Sequence, residues 1–442
     1  MTWAARFRIR EYLRESLWVV PFIGALIGVL GALVVVWIDQ HVKVPPQWAY
    51  SSSTATTVLS AVAGAGAALT GFVVTVTVLV VQMATGTFSA RYMRLWYRDR
   101  VLKGVLALLI GTLAFSFSLL RRIESKFVPD LGITLAEVLL IVGLVMFVMF
   151  LSRFVHGLRP VAVAADLAKG VRKSLGDDIA GMRGVRDVFA GPLEGMDEPP
   201  ALAVRCPRPG AIQAVNLPRV SAWARQHECL VVMRHSVGDF VEAGDLLFEA
   251  YGNPGEADAA EHVLRGLVAV GIERTIEQDP AFALRVMGDV ANKALSPAVN
   301  DPTTAVQVLD YLGGSLRLIG KVDRSVPTWD AGAAKRGVVA PVRRWEDYLA
   351  LGLTEIREFG STSIQVMRRM RAVLEMLLQE VRPENRPAVQ AEIARLGATV
   401  ATGFSGSIDR DWAGIADLQG MGGPERLGHA EPVVGRPVAP VG

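Results

Sequence analysis

The residues best suited to chemistry lie in one uncharged stretch, and the chemistry they suit is the passage or exclusion of water and ions. Residues 57–84 read TVLSAVAGAGAALTGFVVTVTVLVVQMA, and within them Ser60, Gly64, Ala67, Gly71, Thr75, Val78 and Gln82 recur at steps of three or four. On a helix that spacing places them on one side. The opposite side carries Val62, Leu69, Val73, Val76 and Val80. Hydroxyls and glycines suit either a neighbouring helix backbone or a polar path, and Val78 or Leu79 would narrow such a path. Beyond the stretch, Arg91, Arg94 and Arg98 would sit at an inner mouth and favour anions. Two readings stay open: the small face packs inside one protomer, or copies of it surround a shared axis.

No residues argue for a reaction. The chain has no G-x-x-x-x-G-K-[ST], no G-x-G-x-x-G after a strand, no H-E-x-x-H and no G-x-S-x-G elbow. Its six histidines are scattered. Cys206 and Cys229 lack C-x-x-C spacing and read as buried hydrophobes. No catalytic residue, metal or cofactor is therefore expected. A formal charge of +3 over 442 residues gives no case for nucleic acid.

The elements that must position the stripe are apolar runs at about 17–38, 57–84, 104–120 and 133–152. Each is close to the length that crosses about 30 Å of hydrocarbon at 1.5 Å per residue. Hydrophobic residues make up 51% of the chain, with the excess in its first third. Trp18 and Trp37 bracket the first run as interfacial anchors. Lysine and arginine crowd the N-terminal segment 1–16 and the loop after the second run, which puts both termini in the cytoplasm. Glu137 is the one ionisable residue well inside a run, and a structural or interfacial role suits it near a helix end.

After the membrane domain (17–156), breakers such as GPLEGMDEPP mark 157–200 as a helical linker. Residues 201–255 turn to short β-like pieces. Their HSVGDFVEAGDLLFEAYG resembles the hairpin of biotinyl- and lipoyl-type barrel-sandwich modules, without a lysine at its tip, and reads as a scaffold. Residues 256–400 read as a helical domain, with helical period over 256–320, a Gly-, Ala- and Pro-rich loop at 321–342 and amphipathic helices beyond it. In ALSPAVNDPTTAVQVLDYL, Ser296 before proline ends one helix and Asp301 caps the next, with Pro302 at its first position. A helix joint explains most of that peptide. Asn300, Thr303 and Thr304 are polar groups at a helix start where an anion or a neighbouring subunit could dock. Arg368, Arg369 and Arg371 read as a solvated basic face, and the Gly- and Pro-rich 401–442 as a disordered tail.

The combination of QMATGTFSARYMRLWYRDR, ERTIEQDPAFALRVMGDVANKALSPAVNDPTTA and a later helical hairpin resembles a bacterial family of predicted membrane proteins, the domain of unknown function twenty-two fifty-four. The resemblance runs from about residue 10 to about residue 396. It implies a four-helix membrane domain with a cytoplasmic portion, and no activity. The expected fold is mainly α: a four-helix transmembrane domain, then a cytoplasmic region with a small β barrel-sandwich-like module and a helical bundle. The expected function is an oligomeric ion channel or channel-like pore lined by the second helix, with lipid, further copies of the chain and ions as partners. The alternative is a non-conducting scaffold or sensor that binds a partner or ligand through its cytoplasmic domain.

Overall fold

The computed structural model describes residues 1–41, 49–87, 98–124, 127–157, 159–182, 185–187, 199–322 and 337–423. The chain divides into two compact units, residues 9–162 and residues 1–8 with 163–442. Among the described residues the fold is mainly helical, with four helices long and apolar enough to cross a membrane and two small sheets.

In the first unit, the end of α1 (Trp3–Glu15) is followed by the four long helices: α2 (Val19–His41), α3 (Ser52–Thr87), α4 (Arg100–Leu120) and α5 (Asp130–Gly157). α2 packs on α4 backbone to backbone. A Cβ added at Gly24 would lie 2.3 Å from the Ala107 carbonyl oxygen, and one at Gly28 would lie 2.2 Å from that of Gly111. Small residues four apart on both helices allow this approach, since lipid supplies no hydrophobic drive between helices and close packing must replace it. α2 turns Phe22, Leu26, Leu30 and Leu33 outwards, and α5 does the same with Ile141, Leu144 and Val148, as lipid-facing surfaces require.

Polar groups fasten the helix ends. Asp99 caps α4 by accepting the Val101 and Leu102 amides (2.6 and 3.1 Å), and Arg153 on α5 pairs with it at 3.2 Å. At the other end, the Asp39 carboxylate accepts the Leu131 and Gly132 amides at the start of α5 (3.1 and 3.2 Å). Glu137 receives the Tyr50 hydroxyl at 3.3 Å, which gives that carboxylate a structural partner.

In the second unit, α6 (Pro160–Met182) leads to a mixed five-stranded sheet of order β1-β8-β4-β6-β2 and a three-stranded sheet of order β5-β3-β7. The strands are β1 (Val185–Asp187), β2 (Leu202–Arg205), β3 (Gly210–Val215), β4 (Leu230–Met233), β5 (Phe240–Val241), β6 (Leu246–Tyr251), β7 (Val268–Gly271) and β8 (Gly337–Ala340). β3 and β4 are buried along their whole length, so their sequences, GAIQAV and LVVM, run nearly unbroken in apolar residues. Strands from outside 201–255 complete both sheets. The segment expected as a hairpin does not form one. β5 pairs with β3 and β6 with β2 and β4, because the turn closed by Asp245 on the Glu242 amide (2.8 Å), with Gly244 at φ +95°, passes the chain from one sheet to the other. Helices α7 (Leu217–Gln226) and α8 (Ala257–Arg265) close the core around Trp223, Phe248 and Leu264.

The remaining helices, α9 (Pro280–Leu295), α10 (Pro302–Lys321), α11 (Trp345–Phe359), α12 (Ile364–Glu380) and α13 (Arg386–Gly403), pack as a bundle. Asp279 caps α9 through the Phe282 amide at 3.2 Å. Its Oδ2 is buried beside Gly238 with no hydrogen-bond partner among the described residues. Burial pushes this carboxyl above the usual carboxylate range, against the lowering pull of Arg343 and the Phe282 amide. The folded chain therefore holds the proton more tightly than the unfolded chain. The stability this group contributes is complete at acid pH and is lost as pH rises through the raised value. Asp279→Asn keeps the cap, so it is expected to raise the unfolding midpoint at pH 7 and to flatten the decline that begins above about pH 4. Unfolding curves at both pH values check this, and a lower midpoint at pH 7 would contradict it.

Two expectations fail at the C-terminal end. Arg368 is not on a solvated face: it is fully buried, and it is among the largest buried side chains. Its guanidinium donates to the carbonyls of Ile415, Gly422 and Gly423 at 3.1–3.2 Å and lies 3.9 Å from the Trp412 ring centroid. Residues 404–423, expected to be disordered, fold around it, with α14 (Ser407–Ala413) and an Asp417 carboxylate that accepts the Gln419, Gly420 and Gly422 amides. Helical period reveals a face but not the loop carbonyls that a distant segment brings to it. Arg369 and Arg371 are also engaged, by Asp310 and Glu375. Each hydrogen bond to a charged group is worth about 1.5–3 kcal/mol. Arg368→Leu should therefore release 404–423 and open new cleavage sites there in limited proteolysis, with the rest of the bundle still protected. Unchanged protection would show that the tail docks without the guanidinium.

Candidate functional site

α3 buries several of its larger residues along one side, together with small ones such as Ala55 and Ala63. Leu59, Val62, Val73 and Val80 are buried, against the cores that α4 and α5 share with α3. Leu69 and Val76 lie half-buried on the same side. Ser60, Gly64, Ala67, Gly71, Thr75, Val78 and Gln82 are all exposed. A Cβ added at Gly64 or Gly71 would meet nothing within 4 Å. From Ser60 to Val78 the face identified from sequence is thus one exposed surface, with open space over Gly64 and Gly71 among the described residues.

This surface differs from the other outward faces of the same unit. Between residues 53 and 68 of α3 the exposed positions hold only serine, threonine, alanine and glycine, whereas α2 and α5 expose leucine, isoleucine, valine and phenylalanine. Larger groups reach the α3 surface further on, at Phe72, Val74, Val78 and Leu79. Its hydroxyls are not stranded: Thr57 and Thr75 donate to the Ser53 and Gly71 carbonyls, both at 2.9 Å. That back-bonding is how helices in lipid satisfy threonine.

Arg91 and Arg94 lie outside the described residues. Arg98 is held by Glu11, 3.1 Å away, which is itself buried at 3% exposure. Periodicity did not single out Glu11, and nothing local marks it. Lys103, the residue just before the third apolar run, lies buried on α4, where its Nζ donates to the carbonyls of Leu13 (3.4 Å) and Arg14 (2.5 Å). A cation on the last carbonyls of α1 satisfies acceptors the helix leaves open. Its place at the very edge of an apolar run is the available signal.

The joint peptide is built as its residues dictate. Ser296 ends α9 with its hydroxyl on the Lys293 carbonyl (2.7 Å), and Asn300 takes the left-handed turn at φ +48°. Asp301 caps α10, accepting the Thr304 amide at 3.0 Å and the Thr304 hydroxyl. Asn300 and Thr303 remain exposed. The joint lies in the second unit and the α3 surface in the first. Cys206 and Cys229 are buried free thiols, and burial pushes the Cys229 thiol up. Among the described residues no three His, Cys, Asp or Glu side chains gather as a metal site.

Four spanning-length apolar helices, two of them turning large aliphatic faces outwards, define the chain as an integral membrane protein. It belongs to the family described as Predicted membrane protein (DUF2254), which matches residues 14–376. Similar proteins include the uncharacterized proteins MT1328 of Mycobacterium tuberculosis and Mb1321c of Mycobacterium bovis. Each is 30% identical over 425 residues, covering 92% of this chain and 80% of the relative. No solved structure matches the chain.

Proposed function

We propose that the protein is an oligomeric ion channel or channel-like pore of the bacterial inner membrane, its copies meeting through the small face of α3. The supporting observation is the exposure of the whole stripe from Ser60 to Gln82 while the apolar side of the same helix is buried. Lipid offers no reason to select glycine, alanine and serine over leucine, but a second helix does. Around an axis, Thr75 and Gln82 would line a path and Val78 would form its hydrophobic constriction. The basic N-terminal segment supports cytoplasmic termini. The second unit would then be a gating domain, with its β module as a barrel-sandwich-like scaffold. No reaction is assigned to it.

One observation favours the non-conducting scaffold or sensor. The stripe's threonine, Thr75, and Thr57 one turn before the stripe are satisfied by their own helix, so these hydroxyls can pack dry against another copy without needing water. Purified protein in planar bilayers separates the two. A pore gives unitary currents, and Val78→Ser should enlarge them by widening and wetting the constriction. An intact oligomer that never conducts, across voltage and membrane tension, leaves the scaffold.

A further inference from the structure

The second unit contains a surface cavity of about 230 Å³ whose walls carry three arginines and a histidine. Arg8, on the first turns of α1, faces it together with Arg208, Arg265 and His262, over a floor that includes Leu247 and Val270. All these residues belong to one compact unit, since α1 up to Arg8 is part of it. The Ala4 amide on the Gly266 carbonyl (2.9 Å) holds the wall formed by α1, as does the packing of Ala4 and Phe7 on Ala214 and Ala269.

Among the described residues no carboxylate lines the cavity. Among the described residues, Arg265 alone of the three arginines has an acidic partner, Glu261 one turn back on α8. Its Nε is buried without a hydrogen bond among the described residues. Arg208 donates through Nη2 to the Val270 carbonyl (2.7 Å) and makes no ion pair among the described residues. Arg8 makes neither a hydrogen bond nor an ion pair there. Burial and the charge of Arg208 both push the Arg8 guanidinium down from its ordinary value, as expected of like charges gathered without a counter-ion. Arg8 and Arg208 are exposed, so an anion can reach both from solvent, and its negative charge would relieve their repulsion.

We infer that Arg8, Arg208 and Arg265 form a binding site for a compact phosphate-bearing anion. Guanidinium forks match phosphate oxygens two at a time. The apolar floor takes a small organic moiety, and the volume falls below the roughly 300–1,000 Å³ of sites for drug-sized ligands. The phosphate has two possible sources, a soluble organic phosphate or the headgroup of an anionic phospholipid. In either case a bound anion ties the first turns of α1 to the edge of β7 and to the end of α8, so occupancy would fix the start of the chain. The site stands whether or not α3 forms a pore.

Titration calorimetry on the full-length protein in phosphatidylcholine nanodiscs, with inorganic phosphate and with glycerol 3-phosphate, tests the site. Saturable binding is expected, tighter for glycerol 3-phosphate, and weakened by about tenfold for each of Arg8→Gln and Arg208→Gln. Glu261→Gln removes the one competing carboxylate and should tighten binding, a gain that misfolding cannot imitate. Nanodiscs containing phosphatidylglycerol assign the source. If they protect α1 from proteolysis in the wild type but not in the arginine variants, the phosphate is a lipid's. If only soluble phosphates bind, it is a metabolite's. Failure of both phosphates and of phosphatidylglycerol to act, or binding equal in wild type and all three variants, would overturn the inference.

Discussion

Gly28→Leu is expected to leave no folded membrane unit, whereas Gly71→Leu, on the neighbouring helix, leaves the protomer folded. The difference lies in what a side chain would meet. At Gly28 the first carbon already falls 2.2 Å from the Gly111 carbonyl oxygen, and backbone in a packed helix cannot turn aside as a flexible side chain can. α2 and α4 would have to part along their common seam, and Gly24 against Ala107 would lose its contact in the same step. Overpacking costs about 1–3 kcal/mol where neighbours can shift, and more where only backbone is in the way. At Gly71 nothing lies within 4 Å. Purification yield and a monodisperse detergent complex separate the two variants. Equal behaviour would show that the α2–α4 seam is looser than its geometry implies.

The second large effect is expected at Gly71 itself, in the assembly and not in the protomer. If copies meet along the small face of α3, leucine there keeps the backbones apart and removes the close contacts that hold helices together in lipid. A loss of about 3 kcal/mol corresponds to more than a hundredfold in the association constant. Gly64→Leu and Gly71→Leu should therefore shift the purified protein from oligomer to monomer, and reconstituted currents should vanish with it. Leu30→Ala, on the exposed face of α2, should change neither. Oligomers that persist in both glycine variants would separate the stripe from assembly.

The membrane unit was largely legible in the sequence because hydrocarbon imposes a simple rule. Apolar runs must be helices of spanning length, and the four runs became four helices. The two-sidedness of α3 could be read in the same way, since small and large residues alternate with helical period and lipid or protein must cover each side. Pairing could not. The spacing of Gly24 and Gly28 marks a helix that admits close approach, but nothing in it points to Ala107 and Gly111 as the surface approached. Charges misled for a related reason. Lys103 and Arg368 look solvated in a local window, and both are buried because a distant segment brings carbonyl oxygens to them. Sheet order was hidden likewise: β8 lies parallel between β1 and β4, joined by contacts across more than a hundred residues. Period reports which face is covered, and only the fold reports what covers it.

Cysteine cross-linking along α3 in native membranes tests the central claim most directly. Single cysteines at Ser60, Gly64, Gly71 and Thr75 are compared with cysteines at Val62 and Val73, under a membrane-permeant oxidant. The native Cys206 and Cys229 are buried and give no background. Disulfide-linked dimers from the first group and none from the second are expected, a pattern with the period of one helix face. Cross-links that arise instead from the outward leucines of α2, with the stripe silent, would mean that copies meet elsewhere and that the small face of α3 is not their meeting surface.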